Sequence, residues 1–163
     1  MKIEHLEERI TDYKASIETV VEKKTLWKSV LKGLIKDTFD TIVARYDIGW
    51  KVQELSWIYT NEAVNISFDS FPPELIDCTN RVPAYQFIRG GSLVFSQTYN
   101  GDIFVFILFP YIESKPGEGD MQELGTFNPG EITEKFIVEK VDEFLKAMIR
   151  WELPNKKNKV GFS

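Results

Sequence analysis

The clearest pattern in the chain is an apolar repeat near its start. Alternate steps of three and four residues from Ile3 meet apolar side chains at nine of the first ten positions. The seam consists of Ile3, Leu6, Ile10, Tyr13, Ile17 and Val20, and the repeat continues through Lys24, Trp27, Leu31 and Leu34. This spacing is typical of a helix that packs along one narrow stripe. It predicts a long N-terminal helix, and we assign residues 1–24 to a helical arm.

The apolar face of this predicted helix widens after Trp27. The added positions are Leu26, Val30, Ile35, Phe39, Ile42 and Val43. The second half is therefore expected to be buried against a larger surface than the arm. A continuous helix to about residue 45 would be roughly 65 Å long, whereas a compact domain of this size is only about 40 Å across. We expect the helix to project, or to break near Lys23-Lys24-Thr25 and fold back as a helical hairpin.

The middle of the chain has the patterns of β-strands. Val64, Ile66 and Phe68 alternate with polar residues, which is typical of a half-buried strand. Residues 103–109 are apolar at every position and predict a central strand covered on both faces. Asn100-Gly101 lies before this strand and predicts a tight two-residue hairpin turn. The predicted strands begin near residues 50, 64, 85, 93 and 103.

Glycine and proline recur between residues 113 and 130, which predicts a long loop. Asn128, Pro129 and Glu131 then form the pattern of a helix N-cap, and Pro154 is expected to end that last helix. The element order predicts an α+β fold: a long N-terminal helix, an antiparallel sheet of about five strands and a C-terminal helix packed on the sheet. Residues 25–153 are expected to form one domain, and residues 154–163 a polar basic tail.

The composition narrows the possible chemistry. The 163 residues include one cysteine, Cys78, and one histidine, His5. A disulfide within the chain is excluded, and His5 lies far in sequence from any candidate nucleophile. We predict no metal site and no cofactor. The longest apolar run has seven residues, too few to cross a membrane as a helix, so we expect a cytoplasmic protein with no membrane partner.

Charge is distributed unevenly along the chain. The net charge is −5, and residues 46–112 and 113–152 carry −4 and −5. This acidic body argues against nucleic-acid binding, which needs a basic surface. The acidic part of the predicted loop holds Glu113, Glu118, Asp120 and Glu123. These carboxylates favour docking of a basic protein partner, which needs no exact geometry. Binding of Ca²⁺ or Mg²⁺ is a weaker alternative, because the spacing matches no EF-hand and a flexible glycine-rich loop holds ligands poorly. Acid–base catalysis is also weaker, because it needs a carboxyl whose pKa is raised by burial.

The seam indicates self-association. A parallel coiled coil would place Arg9 beside Lys14 of the second chain and Lys23 beside Lys28, and both contacts are repulsive; only Lys2 with Glu7 would be favourable. We therefore expect an antiparallel or arm-exchanged homodimer, with a helix folded back on its own domain as the alternative. The sequence favours a non-enzymatic protein-interaction module, such as an adaptor, a small chaperone or an inhibitor. The alternative is a small-ligand-binding domain or a carboxylate-dependent enzyme with a pocket between sheet and helices.

Overall fold

The computed structural model describes residues 3–56, 61–79, 88–112 and 121–161 of the chain. The α-helices are α1 (Leu6–Leu26), α2 (Lys32–Arg45), α3 (Ile76–Thr79) and α4 (Glu134–Gly161). A π-helical turn (Trp27–Leu31) joins α1 to α2, and short 3₁₀ turns cover Pro73–Leu75 and Pro129–Glu131. The strands are β1 (Trp50–Ser56), β2 (Glu62–Phe68), β3 (Ile88–Arg89), β4 (Ser92–Gln97), β5 (Ile103–Leu108), β6 (Tyr111–Ile112) and β7 (Met121–Phe127).

Five strands form one antiparallel sheet in the order β1-β2-β4-β5-β7, and β3 pairs with β6 in a separate two-stranded ribbon. The α+β class and the five-stranded antiparallel sheet predicted from the sequence are thus confirmed. The membership of the sheet differs from the prediction, because the short third strand belongs to the ribbon. Residues 80–87, where that strand was predicted to begin, lie outside the described residues.

The strand β7 corrects the prediction of a continuous loop over residues 113–130. It pairs with β5 through a register shift between Val105 and Phe106, and Gly125 lies at this irregularity with φ +129°. Such a bulge accepts a glycine that would otherwise argue against a strand. The wholly apolar β5 therefore has a paired strand on each side, and β7 forms the edge of the sheet.

The predicted hairpin between β4 and β5 is present, but its turn is longer than expected. The amide of Thr98 donates to the carbonyl of Asp102 at 2.8 Å, and the amide of Gly101 donates to the carbonyl of Thr98 at 3.0 Å. These bonds enclose a three-residue loop, Tyr99 to Gly101, in place of the two-residue turn. Gly101 has φ +90°, and the side-chain oxygen of Asn100 accepts from the Thr98 hydroxyl and the Asp102 amide.

The core lies between one face of the sheet and the helices α2 and α4. Across the three middle strands the register aligns Val64, Phe95 and Val105, and all three are fully buried. Phe39 of α2 meets Phe95 edge-on at 5.6 Å, and Phe144 of α4 is also fully buried in the same cluster. Aromatic side chains of this size fill the layer between sheet and helices.

The opposite face of β5 is less covered than the sequence predicted. Phe104 and Phe106 are only half-buried, with their rings stacked at 4.9 Å, and Leu108 is exposed. The helical layer therefore covers one face of this strand, and the other face follows the ordinary alternation of an antiparallel sheet.

The C-terminal helix begins as predicted and ends later. Asn128 and Glu131 form a reciprocal capping box around the 3₁₀ turn, and the Thr133 hydroxyl accepts from the amide of Phe136 at the start of α4. The backbone remains helical through Pro154 to Gly161, so the predicted end at Pro154 is wrong. Proline removes one hydrogen bond from the ladder, but its fixed φ is compatible with a helix.

Candidate interaction surface

The long N-terminal helix neither breaks nor folds back. The residues at the junctions with the π-helical turn, Trp27 and Lys32, keep right-handed helical backbone angles. One helix therefore runs from Leu6 to Arg45, which corresponds to about 60 Å. Trp27 is its first buried residue, and α1 contains none. Of the two arrangements left open by the sequence, the structure has the projecting one.

The seam of the arm is exposed at all positions except the one nearest the body. Five of its side chains are 45–66% exposed, and the sixth, Val20, is half-buried. The exposed five are Ile3, Leu6, Ile10, Tyr13 and Ile17. Beyond the seam, Leu26 and Val30 are also exposed, so the expected widening of the buried face begins only at Leu31 and Ile35. The projecting helix therefore presents an apolar stripe to solvent.

The base of the arm is held by the loop between β4 and β5. The Lys23 ammonium lies 2.8 Å from the Asp102 carboxylate, and both side chains are only about one-fifth exposed (21% and 23%). Gly101 approaches so closely that a Cβ on it would lie 2.5 Å from Cβ of Lys23. The hairpin loop therefore fixes the direction in which the arm leaves the body.

A second contact anchors the π-helical turn. The indole N–H of Trp27 donates to Oε1 of Glu62 at 3.0 Å, and the Lys32 ammonium donates to Oε2 at 3.2 Å. Burial alone would raise the pKa of the Glu62 carboxyl, but these two hydrogen bonds and the positive charge of Lys32 and Lys28 outweigh it and lower the pKa. A carboxylate kept ionised by two donors is suited to holding the helix on the sheet.

Ionic side chains flank the seam. Arg9 is engaged within its own helix, with Glu8 at 2.9 Å and with Asp12. Among the described residues, the side chains of Glu7 and Lys14 make no ion pair. Glu7 and Lys14 flank the seam on the same side, two turns apart, and both are exposed. They leave one negative and one positive position available to an incoming helix.

Only one of the four carboxylates of the predicted acidic docking loop lies within the described residues. Glu113, Glu118 and Asp120 lie outside the described residues. Glu123 is exposed and lies on β7, at the edge of the sheet. Docking of a basic protein through these carboxylates stays a prediction.

The other candidate chemistry is dispersed. Within the described ranges, no group of three or more histidine, cysteine or acidic side chains could hold a metal ion. Cys78 is exposed at the surface, and His5 lies at the exposed start of α1. The one described buried side-chain atom without a hydrogen-bond partner is Oδ1 of Asn65. Asn65 alternates with the core residues Val64 and Ile66, so it lies on the face of the sheet away from α2 and α4 and outside the predicted pocket between sheet and helices.

Comparison of the chain with protein-family models, with curated proteins and with solved structures finds no match. In the described part of the chain, no helix combines the length and the apolarity that a membrane crossing requires.

Two of these contacts could not be predicted from the sequence. The pairs Lys23–Asp102 and Trp27–Glu62 join residues 79 and 35 positions apart. A single sequence carries no signal that pairs such distant charges. The residues of the seam, in contrast, were recognisable from spacing alone.

Proposed function

We propose that this chain is a non-enzymatic protein-interaction module that assembles as a homodimer through its arm. The observation that carries the proposal is the exposed seam on a helix that continues into the core. An adaptor, a small chaperone or an inhibitor-like partner would each use such an element. A cytoplasmic location is part of the proposal and agrees with a single, exposed cysteine.

The energy of covering the seam is of the right order for reversible association. Full burial of an aliphatic or aromatic side chain is worth about 1.5–3 kcal/mol, and the five exposed seam residues of each chain still show about half their surface. Covering both arms is then worth roughly 10 kcal/mol before the cost of association. Association costs at least about 4 kcal/mol, which leaves about 6 kcal/mol, or a dissociation constant of tens of micromolar. We therefore expect a dimer that dissociates on dilution.

The test is a double substitution in the seam, Ile10→Glu with Ile17→Glu, measured by sedimentation equilibrium on the full chain. Both side chains are exposed within one chain, so the monomer should keep its fold while the dimer is lost. A matched control, Val138→Glu with Ile149→Glu, places the same kind of change on exposed apolar residues of α4. The control should dimerise like the parent chain.

Two results would contradict the proposal. The first is a parent chain that stays monomeric up to about 1 mM, well above the expected range. The second is a dimer that the seam substitutions leave unchanged, which would place the contact elsewhere. Circular dichroism of each variant checks that helix content is kept.

A further inference from the structure

We infer that the seam is covered by the arm of a second copy of this chain, running antiparallel, with Ile10 opposite Tyr13 of the partner subunit. This inference rests on the proposed function and adds the direction and the register of the two helices. Both the direction and the register follow when a two-fold axis relates two copies of the arm, because the position of the axis decides which side chains face each other.

In this register the axis passes between residues 11 and 12, and the numbers of facing seam residues sum to 23. Ile3 then faces Val20 of the partner subunit, Leu6 faces Ile17 of the partner subunit and Ile10 faces Tyr13 of the partner subunit. All six seam positions take part, Ile3 from the turn that leads into α1, and each pairing occurs twice by symmetry. No other spacing of the two helices uses the whole seam and leaves Trp27, which is 1% exposed, in its own core.

The charges beside the seam agree with this register. Glu7 lies next to Lys14 of the partner subunit on the same side of the helix pair, and symmetry repeats the contact. Both groups are exposed and make no ion pair in the described part of their own chain. Arg9, on the other side, lies next to Ser16 of the partner subunit, which is uncharged. Two attractive pairs therefore form. The side of Arg9 also brings Lys23 opposite Lys2 of the partner subunit, but the charge of Lys23 is already paired with Asp102 of its own chain.

Each neighbouring arrangement brings like charges together at the positions of Glu7, Arg9 and Lys14. If one helix is shifted along the other by seven residues in one direction, Glu7 comes beside Glu7 of the partner subunit and Arg9 beside Arg9 of the partner subunit. A slide in the other direction brings Lys14 beside Lys14 of the partner subunit and requires Ile3 to face Trp27 of the partner subunit, which is already buried. A parallel pair places Arg9 beside Lys14 of the partner subunit. Like charges at these distances select against each alternative.

The register also sets the shape of the dimer. Lys23 lies at the base of the arm, and its distance along the helices to Lys23 of the partner subunit is 23 residues, or about 35 Å. The two bodies therefore sit at opposite ends of a two-helix rod. The anchoring contacts at Asp102 and Glu62 involve none of the seam residues, so substitutions at Glu7, Ile10, Lys14 and Ile17 test the pairing separately from the fold.

The first experiment reverses the flanking charges and measures the dimer dissociation constant by sedimentation equilibrium. Glu7→Lys and Lys14→Glu should each weaken the dimer about five- to thirtyfold, because attraction turns into repulsion at two symmetric contacts. The double variant, Glu7→Lys with Lys14→Glu, should recover the parent affinity. Added salt should reduce all three differences.

The same variants separate the antiparallel pair from the parallel one. In a parallel pair, Lys14→Glu would place a carboxylate beside Arg9 of the partner subunit and tighten the dimer. A tighter dimer for Lys14→Glu therefore overturns the inference, as does a double variant no stronger than the single ones. Glu22→Lys is the matched control: it reverses a charge on the outward face of the arm and should leave the dissociation constant unchanged.

The second experiment measures distances with spin labels in a Cys78→Ser background. Labels introduced by Thr11→Cys lie one residue apart along the rod, whereas labels introduced by Glu22→Cys lie 21 residues, or about 30 Å, apart. The Glu22→Cys distance should therefore exceed the Thr11→Cys distance by about 20 Å or more. Equal short distances at the two sites would mean a parallel dimer and would overturn the register while leaving the homodimer intact. A monomeric parent chain would overturn the proposed function itself.

Discussion

Replacing Gly101 by alanine tests whether the hairpin loop holds the base of the arm. Gly101 has φ +90°, a conformation that costs an L-residue about 1–2 kcal/mol. The new Cβ would also lie 2.5 Å from Cβ of Lys23, where neither atom is the far end of a flexible side chain. Overpacking of this kind costs about 1–3 kcal/mol. The free energy of unfolding should therefore fall by about 2–5 kcal/mol in Gly101→Ala.

Gly90 provides the matched control. Its φ is +80°, close to that of Gly101, but a Cβ there meets no atom within 4 Å. Gly90→Ala should therefore lose only the conformational part, about 1–2 kcal/mol. Urea unfolding followed by tryptophan fluorescence measures both variants, and the slope with denaturant should be unchanged. Equal losses in the two variants would refute the reasoning, because the contact between hairpin and arm would then be absent in solution.

Two further predictions concern Glu62. Glu62→Ala should lower the free energy of unfolding by about 1–3 kcal/mol in urea titrations, because the buried indole of Trp27 loses its acceptor. Glu62→Gln should lower it by less, because an amide oxygen remains to accept the hydrogen bond. Since the folded-state pKa of Glu62 lies below the ordinary 4.5, its stabilisation is present above pH 4.5 and lost as pH falls through the lowered pKa. The parent chain should thus lose stability more steeply below pH 4.5 than Glu62→Gln; parallel pH profiles would contradict the assignment.

The sequence patterns predicted helices and strands correctly where the signal comes from residues that are close together in the chain. The steps of three and four from Ile3 located the long helix, and the capping box at Asn128 located the turn before α4. Alternation over Val64 to Phe68 located β2. These features depend on neighbours a few residues away, so a single sequence contains the information they need.

Local rules were misleading where a tertiary partner compensates for an unfavourable residue. Gly125 argued for a loop, but pairing with β5 makes residues 121–127 a strand with the glycine at a bulge. Asn100-Gly101 predicted a two-residue turn, and the chain forms a three-residue loop whose glycine lies against Lys23. In both places the deciding contact comes from a distant segment, which local propensity does not describe.

The composition of the candidate surface was determined by the sequence, and its accessibility was decided by the fold. The seam residues were recognisable from their spacing, but spacing is the same for a helix that folds back and for one that projects. The direction of the arm depends on Lys23 with Asp102 and on Trp27 with Glu62, contacts that span 79 and 35 residues. These pairs form only once the sheet has brought the β4–β5 loop and the start of β2 beside the helix. The physical reason is that hydrogen bonds and ion pairs are specified by position in space, which the order of residues alone does not give.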